Sequence, residues 1–229
     1  MHEPIPPSYS HFMPPRPPVA WVTWLLVGST VAVFLLQLRS LHISGDDVIG
    51  NALAFSPQAW AEHRYWTLLT YAWAHAVAMF GDSGLFWLHI AANMIPLVCL
   101  GPALERMLGH GRYLALYLGG AIASALVWFL FNPHSPDGII GASGAIFALI
   151  AAIGMAAPRA QVTVYLLYVL PIRMRMGVLA VAICGVEAAQ IVFHWMPEVA
   201  HSAHLGGAAF GVFFVAAIRL NSRRRYLSD

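Results

Sequence analysis

Six apolar stretches, each close to the length that a helix needs to cross a lipid bilayer, constrain this chain more than any other feature. They run over Val19–Leu38, Gly84–Leu104, Tyr113–Phe131, Ile139–Ala157, Met176–His194 and His201–Leu220. About 20 apolar residues in helical form span about 30 Å of hydrocarbon. Inside lipid, each segment must satisfy its own backbone polar groups, so helix is the expected state of all six. Only 10% of the 229 residues are charged and 59% are hydrophobic, whereas soluble domains carry about 25% charged residues. The chain is therefore expected to be an all-α membrane protein, a six-transmembrane-helix bundle. A seventh candidate, Tyr65–Phe80, is shorter and rich in Trp and Tyr, rings that favour the membrane interface. Placing it there makes Arg39 to Ser83 one long, partly embedded first loop.

Three units follow from composition. Residues 1–18 form a tail whose many prolines, from Pro4 to Pro18, exclude helix. Residues 19–220 form the six-span domain, and 221–229 a basic tail. The N-terminal tail lacks a secretory cleavage pattern, so the first span is expected to stay as an anchor. With the N-terminus inside, the inner side holds Arg16, Arg106, Arg112, Arg159, Arg173, Arg175, Arg219, Arg223, Arg224 and Arg225, and the outer side only Arg39 and Arg64. That asymmetry follows the positive-inside rule and puts both termini in the cytoplasm. A net charge of +2 leaves no exposed basic surface for nucleic acid. Cys99 and Cys184 fall within spans and read as small buried hydrophobes, unpaired.

Polar residues at membrane depth are costly and usually serve pairing or chemistry. Ser143, in Gly141-Ala142-Ser143-Gly144, and His204, in Ala203-His204-Leu205-Gly206-Gly207, are such residues. The fourth and sixth spans both enter from outside, and each residue lies about one turn inside its span. The two therefore share one depth and one side, as a nucleophile and its base would need. The second span adds His89 and Asn93, four apart and so on one helical face. Alone, that pair reads as a polar clasp between helices; beside Ser143 and His204 it reads as a set of oxyanion donors. Gly144, Ala148 and Ala151 on the fourth span, and His204, Gly207 and Gly211 on the sixth, make small-residue faces. Such faces let helices approach closely enough for a hydroxyl to meet an imidazole.

On these residues the chain resembles the rhomboid family of intramembrane serine proteases, from about His63 to Ile218. The resemblance rests on Gly141–Gly144, on His89 and Asn93, and on His204 followed by Gly207 and Gly211. Gly101-Pro102-Ala103-Leu104-Glu105-Arg106 and Pro171-Ile172-Arg173 support it. His63-Arg64 stands where the family has Trp-Arg, and the stretch between His75 and His89 is longer than the family's usual form. The resemblance implies that Ser143 attacks a peptide carbonyl while His204 takes its proton and returns it to the leaving amine. His89, Asn93 and the Ser143 backbone N–H would hold the oxyanion. No Asp or Glu is seen to orient His204, so a dyad is expected. The implied partners are single-span membrane proteins cut near their outer ends and the lipid bilayer itself, with no obligate protein partner and no cofactor. The implied location is a bacterial cytoplasmic (inner) membrane.

Other readings are weaker. Gly141-Ala142-Ser143-Gly144-Ala145 is not a Gly-x-Ser-x-Gly elbow and follows no strand, which excludes an α/β-hydrolase. His201, His204 and His89 suggest a metal, but there is no His-Glu-x-x-His run and no carboxylate at that depth; no metal is expected, and His201 reads as interfacial. Glu187, near the middle of the fifth span, reads as a carboxyl bonded to a neighbouring helix rather than as part of a transporter's proton path. The main alternative is a non-catalytic rhomboid-like protein that binds membrane helices. Such relatives typically lack the serine or the histidine, and this chain keeps both.

Overall fold

The computed structural model describes residues 19–77, 87–166, 170–196 and 199–228, the side chains of 165–166 and 221–228 excepted. The proline-rich tail, the start of the second span at Gly84, and residues 78–80 of the interfacial stretch lie outside the described residues. The apolar stretches form helices α1 (Trp21–Ser44), α5 (Trp87–Leu108), α6 (His110–Phe131), α7 (Ser143–Ala156), α8 (Met176–Phe193) and α9 (His201–Ser228). Between α1 and α5 lie three short helices, α2 (Val48–Leu53), α3 (Pro57–Ala61) and α4 (Thr67–Thr70). Among the described residues, five helices, α1, α5, α6, α8 and α9, are long and apolar enough to cross a membrane. The chain is thus a mostly helical, multi-pass integral membrane protein.

Two expectations need correction. The chain is not all-α: strands β1 (Gln161–Leu166) and β2 (Leu170–Arg175) pair as an antiparallel hairpin between α7 and α8. Val162, Val164 and Ile172 alternate with polar residues there, the period of a strand rather than a helix. The fourth stretch is also helical only in part. Ile139 leaves the helix to exchange two backbone hydrogen bonds with Phe55, at 3.1 and 2.8 Å. Gly141 then turns through φ +112°, a conformation that side-chain-bearing residues rarely adopt. Helix α7 begins only at Ser143 and has 14 residues, about 21 Å at 1.5 Å per residue.

This short helix is the centre of the bundle, with α5, α6, α8 and α9 packed around it and most of its residues buried. Its closest neighbour is α9. A methyl group at Gly207 would run into the Gly144 carbonyl, and one at Gly211 into the Ala148 carbonyl. The small-residue faces read from the sequence therefore meet. At the other end of α7, Arg219 of α9 donates to the Met155 carbonyl at 2.9 Å, a cation on the unsatisfied carbonyls of a helix C-terminus.

Buried polar groups fix the periphery. Glu105, 1% exposed, accepts the backbone N–H groups of Val22 and Thr23 at 3.0 and 2.8 Å and the Thr23 hydroxyl at 2.6 Å. It caps the start of α1, which has no cap of its own. On the opposite end of α1, Gln37 donates to the His75 carbonyl and accepts the His75 N–H, both at 2.9 Å, and donates to Asp47 at 2.7 Å. The first loop is thereby tied to α1. Arg64 reaches the Asn51 carbonyl at 3.2 Å and Glu62 at 3.0 Å. Cys99 and Cys184 are free, as expected, but Cys99 is exposed and Cys184 half-buried. Neither sits in the core.

Candidate active site

The segment before α7 sets the site. The Tyr71 carbonyl accepts the Gly141 N–H at 2.9 Å, and the Tyr71 hydroxyl donates to the Ala121 carbonyl on α6 at 2.8 Å. Burial pushes the Tyr71 hydroxyl's pKa up, so it remains a neutral donor. Ser143 then stands as the first residue of α7, not one turn inside it. Its backbone N–H is one that the helix leaves unused.

Ser143 and His204 meet. The Ser143 Oγ lies 2.8 Å from His204 Nε2, across 61 residues of chain. Phe147, one turn beyond Ser143, stacks on the His204 ring with centroids 4.4 Å apart and planes within 5°. Beneath them, Ser124 of α6 donates to the Ala203 carbonyl at 2.7 Å and fills the space over Gly144. His204 is thus fixed in plane by Phe147 and in height by the α6–α7–α9 contact.

His89 and Asn93 approach from α5. The His89 Nδ1 accepts the Ala76 N–H at 3.1 Å, which leaves the proton of a neutral ring on Nε2. That Nε2 faces Gly141, where a Cβ would sit 2.9 Å from it and 3.9 Å from Asn93 Nδ2. Asn93, 3% exposed, spends one amide hydrogen on the His89 carbonyl at 2.8 Å. Two donors from α5 therefore converge on the position two residues ahead of Ser143. The absence of a side chain at Gly141 keeps that space open.

Contrary to the expectation that no acid is placed near His204, Glu187 lies beside it. Its Oε2 lies 2.9 Å from His204 Nδ1 and 2.6 Å from His201 Nδ1. The first contact lacks hydrogen-bond alignment; the second is a hydrogen bond. His201 is buried in the protein rather than open to its surroundings. It is 6% exposed, and its Nε2 faces the Trp195 and Met196 carbonyls at 3.2 and 3.1 Å. Glu187 does bond to a neighbouring helix, as read from its lone position, and that helix carries His204.

Glu187, His201 and His204 also form the group among the described residues that could hold a metal ion, their ligand atoms lying within 4.8 Å of one another. Tetrahedral zinc with bonds of about 2.0–2.1 Å keeps its ligand atoms about 3.3 Å apart. The 2.6 and 2.9 Å contacts are shorter, so the three groups are closed on one another rather than spaced around an ion. Sequence reasoning set His201 beside His204 only as a possible metal ligand, and missed Glu187 and Phe147 as neighbours of His204. The signals were present: a lone acid in a span needs a partner at its height, and the spacings His201–His204 and Ser143–Phe147 each return to one helical face.

A multi-pass helical bundle with a serine–histidine pair at the head of its central helix is the class that fold and site define. Residues 62–221 match the Rhomboid domain model, close to the extent over which the sequence motifs resemble that family. The chain belongs to the rhomboid family. It is similar to RHOMBOID-like protein 5 of Arabidopsis thaliana, 26% identical over 98% of this chain and 77% of that protein. It is also similar to Rhomboid protease GluP of Bacillus subtilis, 29% identical over 86% of this chain. A third relative is Presenilin-associated rhomboid-like protein A, mitochondrial, of Danio rerio, 33% identical over 56% of this chain. The matches span 35% of the Bacillus protein and 33% of the zebrafish one, about a third of each.

Proposed function

We propose that this protein is an intramembrane serine endopeptidase that cuts single-span membrane proteins near the outer face. The observation that carries the reading is the 2.8 Å contact between Ser143 Oγ and His204 Nε2, within the reach a base needs. In the proposed reaction His204 Nε2 takes the Ser143 proton as Oγ attacks the scissile carbonyl, and later gives it to the leaving amine. The His89 Nε2–H, the second Asn93 amide hydrogen and the Ser143 backbone N–H stabilise the oxyanion. Water then releases the acyl group by the same route. The working topology has α7 as a sixth, short membrane helix, both termini in the cytoplasm and the first loop partly embedded, in a bacterial inner membrane. Residues 1–18 and 221–229 are tails outside the catalytic domain of residues 19–220.

The test is cleavage of a labelled single-span substrate by the protein reconstituted in liposomes. Wild type is expected to cut. Ser143→Ala and His204→Ala are each expected to abolish cleavage, and a chelator to leave the wild-type rate unchanged. Cleavage that survives either substitution overturns the reading. Binding of the substrate without cleavage by the wild type would instead favour the non-catalytic alternative.

A further inference from the structure

The proton transfer set out above uses two side chains, Ser143 and His204, yet His204 also has a buried acidic neighbour. Glu187 comes from α8, on which it is 9% exposed, and His201 and His204 come from successive turns of α9. One carboxylate oxygen, Oε2, faces both Nδ1 atoms, at 2.6 Å for His201 and 2.9 Å for His204. The His201 contact is the aligned one. On its other side His201 is held by the Trp195 and Met196 carbonyls. His201 thus anchors the carboxylate, while Phe147 anchors the His204 plane. The remaining contact, carboxylate to His204 Nδ1, is close but not yet aligned.

We propose that Glu187 is a positioning residue for His204, making the site a Ser143–His204–Glu187 triad in which His201 holds the carboxylate. The inference rests on the serine protease reading above. When Nε2 accepts the Ser143 proton, His204 becomes a cation bearing hydrogen on both nitrogens. Its Nδ1–H then lies beside a buried carboxylate 2.9 Å away, and catalytic hydrogen bonds that are poorly aligned at rest tighten as the charge forms. The proton stays on His204 until the leaving amine takes it, and Glu187 supplies only the counter-charge and the orientation. Tautomer selection follows too, because a carboxylate beside Nδ1 favours the hydrogen there and leaves Nε2 free to accept. The interaction belongs to the transition state more than to the resting enzyme, so its loss should lower kcat and leave KM within about twofold.

Glu187 also joins α8 to α9, and a structural clamp would be sensitive to its removal as well. Charge separates the two roles. Glu187→Gln keeps the length and an acceptor for His201 but loses the anion; Glu187→Asp keeps the anion and shortens the reach. The proposal requires kcat in the order Glu, Asp, Gln, with Gln lower than wild type by about 10-fold or more. A clamp requires Gln to match or exceed Asp, and that order overturns the proposal. Wild-type kcat in Glu187→Gln overturns it as well. Should Glu187→Gln fail to fold, as read by thermal unfolding in detergent, the size-matched pair Glu187→Asp and Glu187→Asn decides. Asp must then exceed Asn by about 10-fold, and equal rates overturn the proposal. Ser143→Ala and His204→Ala, run in parallel, keep the two readings apart. Residual cleavage there sinks the serine–histidine mechanism itself, whereas inactive variants beside an indifferent Glu187 sink only the triad.

Discussion

The proton on His89 is decided by a backbone amide. Because Ala76 N–H occupies Nδ1, Nε2 is left as the donor toward Gly141, and that tautomer is the one an oxyanion site needs. Gln37 holds the preceding residue, His75, by both backbone groups, so the donor's orientation is set by α1 through the first loop. Substituting His89 by Ala should lower kcat by about 10²–10³, the usual cost of one oxyanion donor, with little change in KM. Single-turnover and steady-state cleavage rates check this. His75 itself makes a stability prediction. It is fully buried, and that burial, reinforced by the nearby His89, lowers its pKa to about 3 from the ordinary 6.5. Below pH 6.5 the unfolded chain takes up a proton there that the folded chain refuses. Stability should therefore be complete above pH 6.5 and fall as pH falls toward 3, by up to about 1.4 kcal/mol per unit. His75→Asn, which can keep a donor toward the Trp73 carbonyl, should flatten that slope in detergent unfolding experiments. An unchanged slope would assign the pH dependence to other groups. Ser143, His204, His89 and Asn93 were legible in the sequence because each is a polar residue where lipid disfavours one. Glu187 was legible only by half: its lone position called for a partner on another helix, but nothing in the order of residues tells which helix faces α8.

Among the elements, α7 and α9 depend on each other most directly. Their backbones meet where Gly207 and Gly211 carry no side chain, and the 2.8 Å contact between Ser143 and His204 exists only at that separation. Gly207→Val should push the helices apart, destabilise the fold by about 1–3 kcal/mol or more and abolish cleavage. Thermal unfolding and the cleavage assay, read together, check it; a stable and active Gly207→Val variant would show that the close approach is dispensable. The helices were legible from hydropathy, which measures apolar length and little else. That is why Ile139–Ala157 read as a span. Ile139 is as apolar as its successors, but its backbone pairs with Phe55 and the chain turns at Gly141, long-range events that no local window contains. The hairpin of β1 and β2 escaped for the opposite reason, as its alternation is brief and lies between two much stronger helical signals.

For the whole molecule, the length of α7 becomes a question of fit to the bilayer. Helices that match the slab surround one of 14 residues, about 21 Å against about 30 Å of hydrocarbon. Arg219 ties the far end of α7 to α9; in the proposed topology, with that end at the cytoplasmic face, the deficit of about 9 Å falls on the side of Ser143. Activity should therefore depend on acyl-chain length, highest in thin bilayers and falling in thick ones. A liposome series of increasing acyl length checks this, and a rate indifferent to thickness would argue against a recessed nucleophile. The same deficit bears on the fate of the substrate. A peptide helix in pure hydrocarbon cannot open, because each freed N–H or C=O would cost several kcal/mol. In the proposed reaction the space over this truncated helix replaces lipid tails with protein and outside access, and carbonyls and amides released by unwinding would find partners there before any bond is cut. A helix too short to span its membrane thus creates a place in the bundle where another chain can stop being a helix.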